Sequence, residues 1–361
     1  MRVCLTGGAG FIGRATAAAL VQRGHDVLAL DTLSPQVHVD PETSKAQFPG
    51  PVLLGDVRDP DSVAEAMARC QAVVHLAAET GVAQSMYESD RYLSVNVGGT
   101  EVVAEHAASS GCGLVLLSSR AVYGQGAYRC VKHGRVSGRR CCSLADPEAS
   151  REDDRLAPVS VYGESKVKAE EVAVARCANK SPLIVIRPQN VVGAGQAPHN
   201  PYTGVLAAFA VRLAAALPPY VYGSGSQTRD FVDVADVAGA LAWMAERVAN
   251  DVDTDRPESV PTLVVNLGSG RRTSLRELAE VAIVAAGREG LEPIHVEVTR
   301  PGDIDHACAD LATLAGTGAP MPTVGLSDSV REFLGYASSQ SPVDPSRWDA
   351  ALKELQQLDG G

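Results

Sequence analysis

The 361-residue chain is poor in aromatic side chains, which make up 4% of it. No apolar run approaches the roughly 20 residues that a membrane-spanning helix needs, so helical membrane insertion is excluded. Basic charge is also in deficit. With 32 Lys and Arg against 43 Asp and Glu, the net charge is −11, which argues against nucleic acid or an anionic membrane as the main partner. An anionic small molecule remains open, because a few well-placed arginines override the global sign. The start of the chain lacks a basic region followed by an apolar stretch. Met1 runs directly into Val3-Cys4-Leu5-Thr6, which reads as a strand and not a signal peptide, so a cytoplasmic location is expected. Without an export signal, the eight cysteines are not expected to form a disulfide framework. Cys4, Cys112 and Cys177 lie in apolar surroundings and read as small buried hydrophobes.

What is present is an alternation. Buried-strand patterns at residues 3–6, 27–30, 52–54, 73–76, 114–118 and 183–187 are separated by Ala-rich helical segments at 11–23, 62–69, 98–109 and 161–178. This rhythm predicts an α/β fold with a doubly wound, Rossmann-type parallel sheet covered on both faces. Residues 125–157, rich in Arg, Cys, Gly and acidic residues and without a period, read as an inserted surface loop. The expected organisation is a dinucleotide-binding domain over 1–190, completed by about 232–267, and a smaller mixed C-terminal substrate lobe from 191–231 and 268–340. A tail follows over 341–361.

Thr6-Gly7-Gly8-Ala9-Gly10-Phe11-Ile12-Gly13 follows the first strand and opens the first helix. In this arrangement Gly7 permits the tight turn, Gly10 lets a pyrophosphate approach the backbone, and Gly13 allows close helix–strand packing. Asp31 ends the second strand, where a carboxylate binds the adenosine ribose hydroxyls and repels a 2′-phosphate, so NAD is the expected cofactor. Asp56 and Val57, after the third strand, are placed near the adenine. Ala77 and Ala78 follow His75 and leave room for the dinucleotide, while His75 itself reads as packed. Phe11, Ile12, Asn96, Ser118 and Pro188 complete the expected cofactor contacts.

Tyr162-Gly163-Glu164-Ser165-Lys166 sets a phenol and an ammonium four residues apart, on one face of a helix. Both are expected beside the cofactor. Lys166 and a positive nicotinamide would together lower the phenol's pKa by about three units, roughly 4 kcal/mol. The phenolate could then take a proton from a sugar hydroxyl.

These features, together with Ser118-Ser119-Arg120-Ala121-Val122-Tyr123-Gly124, resemble the extended short-chain dehydrogenase/reductase family of nucleotide-sugar epimerases, dehydratases and reductases. The resemblance covers roughly residues 1–335. It implies that Ser119 hydrogen-bonds the reacting sugar oxygen, which with Tyr162 and Lys166 makes the catalytic set. Arg120-Ala121 stands where the dehydratases carry Asp-Glu, so dehydration is disfavoured and Arg120 is expected on the substrate. Arg187-Pro188-Gln189-Asn190 resembles a segment whose Asn contacts a diphosphate, and the segments around Arg229 and Arg300 resemble phosphate-gripping arginines.

Residues 119–130 and 200–205, including Asn200 as a substrate contact, look like dTDP-L-rhamnose 4-epimerase-like members. Those proteins carry an insert with two Cys pairs, shortened here to Cys130, His133 and the adjacent Cys141-Cys142. That spacing is unlike the usual structural zinc pattern, so no metal is expected and the insert should be dispensable for chemistry. The implied function is NAD-dependent 4-epimerisation of a dTDP- or UDP-hexose through a transient 4-keto sugar. Reduction of a nucleotide 4-keto-6-deoxy sugar is the alternative. A homodimer is implied, formed through the helices at 161–178 and 98–109.

Overall fold

The computed structural model describes residues 1–200, 204–252, 262–297 and 303–346. Strands are numbered in chain order. β1 (Arg2–Thr6), β2 (Asp26–Asp31), β3 (Val52–Leu54), β4 (Ala72–His75), β5 (Gly113–Leu117), β9 (Leu183–Pro188) and β14 (Thr262–Leu267) form a seven-stranded sheet. All neighbours are parallel, in the order β14-β9-β5-β4-β1-β2-β3. Alternation along the strands explains the two-sided burial. Val3, Leu5, Val27 and Ala29 face a core with the helices Phe11–Gln22 and Val234–Val252. Cys4, Leu28 and Leu30 face a second core with the helices Pro60–Met67, Thr100–Ser110 and Val161–Cys177. Each fully buried Leu or Val contributes roughly 1.5–3 kcal/mol, so the sheet needs apolar residues on both faces, as the continuous runs supply. Cys4, Cys112 and Cys177 are buried in this way.

The sheet grows outward from β1 in one direction through β2 and β3, and in the other through β4 and β5. Between β1 and β4 the order reverses, which opens a crevice at the carboxyl ends of the strands. The glycine turn, the end of β4 and the end of β5 all meet there.

The insert differs from expectation. Instead of an irregular loop, β6 (Ala127–Cys130), β7 (Gly134–Ser137) and β8 (Ala145–Glu148) form an antiparallel sheet in the order β7-β6-β8. Its strands are only four residues long, and its apolar cluster is Tyr128, Cys130 and Ala145. Too few apolar positions alternate to leave a period in the sequence.

Beyond β9, β10 (Asn190–Val192) pairs in parallel with β13 (Phe231–Asp233), and β11 (Tyr220–Tyr222) with β16 (Ile294–Val296). β12 (Thr228–Arg229) pairs antiparallel with β15 (Thr273–Ser274). These pieces surround a separate apolar core that includes Leu206, Phe209, Leu278 and Phe333. Among the described residues, no helix is long and apolar enough to cross a membrane.

Candidate active site

One cleft of about 920 Å³ runs from the glycine turn to Arg229 and Asp303. That is the upper end of the roughly 300–1,000 Å³ typical of small-molecule sites. It gathers Gly7, Gly10, Phe11, Ile12, Gly13, Asp31, Asp56, Val57, Ala77, Ala78, Ser118 and Pro188 at one end. Ser119, Arg120, Tyr162, Lys166, Asn190, Asn200 and Arg229 line the rest.

The backbone explains the glycines. Gly7 has φ +67°, and a Cβ there would lie 2.8 Å from the Ala77 backbone. At Gly13 a Cβ would lie 2.4 Å from the Gly8 carbonyl oxygen, while at Gly10 it would meet only the Gly7 carbonyl oxygen at 3.2 Å. Gly7 and Gly13 therefore serve turn and packing, and Gly10 leaves a bare backbone on the cleft. Asp31 is 8% exposed. Its carboxylate accepts from the Ala9 N–H at 3.1 Å and the Leu33 N–H at 2.9 Å, which fixes it at the strand end with lone pairs to spare. Asp56 faces Arg58, which donates to it from Nε and the backbone and holds its carboxyl below the usual range. His75 hydrogen-bonds Thr6 and Thr100 through its two ring nitrogens, and burial drives its pKa down to about 3. It is a neutral packed residue, as the sequence suggests.

Asn96 does not line the cleft. It sits in a π-helical turn, Leu93–Gly99, and its carboxamide is spent on Glu79 and on the Ser165 hydroxyl. Arg300 lies outside the described residues.

Tyr162 and Lys166 rise from the first turns of the helix Val161–Cys177, whose Ser160 cap accepts from the Gly163 N–H at 3.1 Å. The phenol hydrogen-bonds Ser119. Burial raises its pKa, opposed by that hydrogen bond and by the positive charge of Arg120. The sequence expectation put Lys166 in the tuning role. In the structure Lys166 Nζ donates to the Leu117 carbonyl at 2.9 Å, and burial lowers its own pKa to about 8. Arg120, whose pKa burial brings down to about 10, also places positive charge near the phenol.

Two partnerships were not visible in the sequence reading. Glu170, one helical turn beyond Lys166, takes a bidentate pair from Arg187 at 3.0 and 2.7 Å and accepts from the Ser118 hydroxyl. Arg187 also donates to the Tyr123 hydroxyl at 2.8 Å. The signal was available as a Tyr, Lys, Glu spacing of four and four along one helix face. At the far end, Arg229 is paired with Asp303 and donates to the Thr228 carbonyl at 2.9 Å. Asn190 has a buried side-chain oxygen with no hydrogen-bond partner among the described residues.

A parallel sheet with a glycine turn at its switch point, and a hydroxyl–phenol–lysine group across the crevice, defines an enzyme of the Rossmann-type dehydrogenase class. The chain belongs to the NAD dependent epimerase/dehydratase family, whose model matches residues 3–258. It is 34% identical over 341 residues to a dTDP-L-rhamnose 4-epimerase of Burkholderia thailandensis, covering 88% of this chain and 90% of the relative. A UDP-glucose 4-epimerase of Mycolicibacterium smegmatis is 29% identical over 94% of this chain and all of that protein. Among solved structures, the UDP-glucose 4-epimerase of Thermus thermophilus in complex with NAD superposes with a TM-score of 0.74 at 27% identity, covering 94% of this chain and 100% of that one.

Proposed function

We propose that the chain is an NAD-dependent 4-epimerase of a dTDP- or UDP-linked hexose, 6-deoxy sugars included. The observation that carries this reading is the convergence of Ser119, Arg120, Tyr162 and Lys166 in one cleft continuous with the glycine turn. The similarity to the Burkholderia thailandensis protein supports a deoxysugar substrate.

The bare Gly10 backbone and the fixed Asp31 carboxylate fit a dinucleotide without a 2′-phosphate. NAD, when bound, supplies reversible acceptance of a hydride from the sugar's C4. Tyr162 takes the proton of the sugar's 4-hydroxyl and returns it to the product. Ser119 shares that proton's hydrogen bond. Arg120 keeps positive charge beside the phenol. Lys166, close to Tyr162 along the helix, holds the ribose edge of the site. Asn190, Asn200, Arg229 and Arg300 are the proposed contacts to the nucleotide-diphosphate end, which tethers the 4-keto sugar while it turns over.

A cytoplasmic homodimer completes the proposal. Much of the Ala/Val face of its two helices is already used within one chain, where Val103, Ala104 and Ala107 pack with Ala173 and Cys177. The ridge left for a partner is the half-buried Leu93, Val97 and Val102 with Val174, 39% exposed. Light scattering at micromolar concentration should give twice the chain mass.

The direct test incubates purified protein with dTDP-L-rhamnose or UDP-glucose, without added cofactor, and follows the C4 proton by NMR. Appearance of the C4 epimer is expected. No epimer, with reduction of a nucleotide 4-keto-6-deoxy sugar at the expense of added NADH, would replace this reading by the reductase.

A further inference from the structure

Cys130, His133, Cys141 and Cys142, which the sequence reading left without a metal, each place a ligand atom within 4.8 Å of the others. Cys130 Sγ lies 3.4 Å from His133 Nδ1 and 3.5 Å from Cys142 Sγ, and Cys141 Sγ lies 3.9 Å from Cys142 Sγ. None approaches the about 2.05 Å of a disulfide, and all eight cysteines are free. A tetrahedral zinc ion has bonds of about 2.3 Å to sulfur and about 2.0–2.1 Å to nitrogen. Its sulfur–sulfur edges are then about 3.8 Å and its sulfur–nitrogen edges about 3.5 Å. The three observed separations fall within a few tenths of an ångström of those edges. We propose that these four side chains hold a structural zinc ion.

The topology shows how an unusual spacing reaches this geometry. Cys130 ends β6, and His133 lies in the turn to β7, where Cys130 pairs with Gly134. Cys141 and Cys142 lie in the loop entering β8, whose Ala145 pairs with Cys130 on the other side. Two neighbouring strands thus deliver both halves of the ligand set to the same strand end. The backbone N–H groups of Lys132 and His133 also donate to the Cys130 sulfur, an arrangement that favours a thiolate over a thiol.

Beyond its ladder and the ion pairs of Arg129 and Arg135 with Glu148 and Asp154, the insert has a small apolar core. Tyr128, Cys130 and Ala145 are its buried core, with Cys141 and Cys142 packed against them. Val131 is 89% exposed and Leu144 50%. So small a unit commonly depends on a metal or disulfide in place of an apolar core. Three thiolates, a neutral imidazole and Zn²⁺ carry one net negative charge, which Lys132, Arg139 and Arg140 in the same turns offset. Four protein ligands leave no open position, so the ion is structural and not a Lewis acid for the sugar. The insert still bears on the cleft. Gln125, just before β6, donates to the Asp303 carbonyl at 3.4 Å and accepts from the Asp305 N–H at 3.1 Å.

The test starts from full-length protein purified under reducing conditions without chelator. Elemental analysis is expected to find one zinc per chain, retained on dialysis. After zinc is stripped with a chelator, added Co²⁺ should produce the charge-transfer and visible absorption of tetrahedral cobalt thiolate. A Cys141→Ser, Cys142→Ser double variant should lose the metal, while Cys70→Ser, away from the cluster, should keep it. If the double variant does not fold, the cobalt titration of the parent chain decides. Absence of both zinc and the cobalt–thiolate bands overturns the proposal. So does a metal-free Cys130–Cys142 disulfide in non-reducing mass spectrometry, iron in place of zinc, or loss of zinc in Cys70→Ser.

Discussion

Arg229 donates from its guanidinium to the Asp303 carboxylate, and both residues line the cleft that holds Tyr162. Arg229 is 6% exposed, and burial lowers its pKa despite Asp303. An incoming diphosphate therefore meets an arginine that already has an anionic partner, and must share it or displace it. Asp303→Asn should tighten the binding of free dTDP or UDP by up to roughly tenfold, the scale of one charge-assisted hydrogen bond. The same variant should melt earlier, because a buried guanidinium loses its counter-ion. Calorimetric titration and thermal melts check the two halves. Weaker nucleotide binding would show that Asp303 holds Arg229 in its binding pose.

Tyr162→Phe should leave nucleotide-sugar binding nearly intact and lower kcat by about 10²–10⁴-fold, the range for a general base. Ser119→Ala should lose less, since water can replace one hydroxyl. A C4-deuterated sugar should keep its label in the epimer. The phenol must be deprotonated to act, so kcat falls as pH drops below its pKa. Arg120→Gln removes the charge that opposes the upward shift of Tyr162, and should move this acid limb to higher pH. An unmoved limb would take Arg120 out of the tuning role.

Burial shifts Lys166 from 10.5 to about 8. A folded-state pKa below the unfolded one means that the charged ammonium costs stability at all pH values below about 8. The cost shrinks as pH rises toward 10.5 and vanishes above it. Its ceiling is about 3 kcal/mol for a shift of this size. In nucleotide-free protein, Lys166→Met should melt no lower than the parent at pH 7, and its advantage should fade by pH 10, while turnover collapses. A lower melting temperature at pH 7 would show that the Leu117 hydrogen bond outweighs desolvation.

Asp31→Ser should narrow the preference for NAD over NADP, measured as the ratio of dissociation constants. Because Asp31 also accepts from the Ala9 and Leu33 N–H groups, the variant should weaken NAD binding as well. An unchanged ratio would place cofactor choice elsewhere in the cleft.

The parallel sheet, the glycine turn, the strand-end carboxylate and the Tyr-x-x-x-Lys helix were legible in the sequence because each leaves a local pattern, even though the sheet itself pairs strands as far apart as Val3 and Ala72. Backbone geometry at Gly7 and one-turn spacing between Tyr162 and Lys166 leave marks that a linear reading can find. Other relationships depend on distance in space. The pairing of Arg229 with Asp303 joins positions 74 apart. Asn96 looked like a lining residue until a π-turn aimed its amide at Glu79 and Ser165. Arg120 comes to stand near the phenol, while Lys166 reaches the Leu117 carbonyl. Cys141 and Cys142, whose spacing is unlike the usual zinc pattern, come beside Cys130 and His133 only through the pairing of β6 with β8. Sequence determines what each segment can become, whereas partners for buried charges and thiols are chosen only when packing removes water and leaves each group the neighbours that the fold supplies.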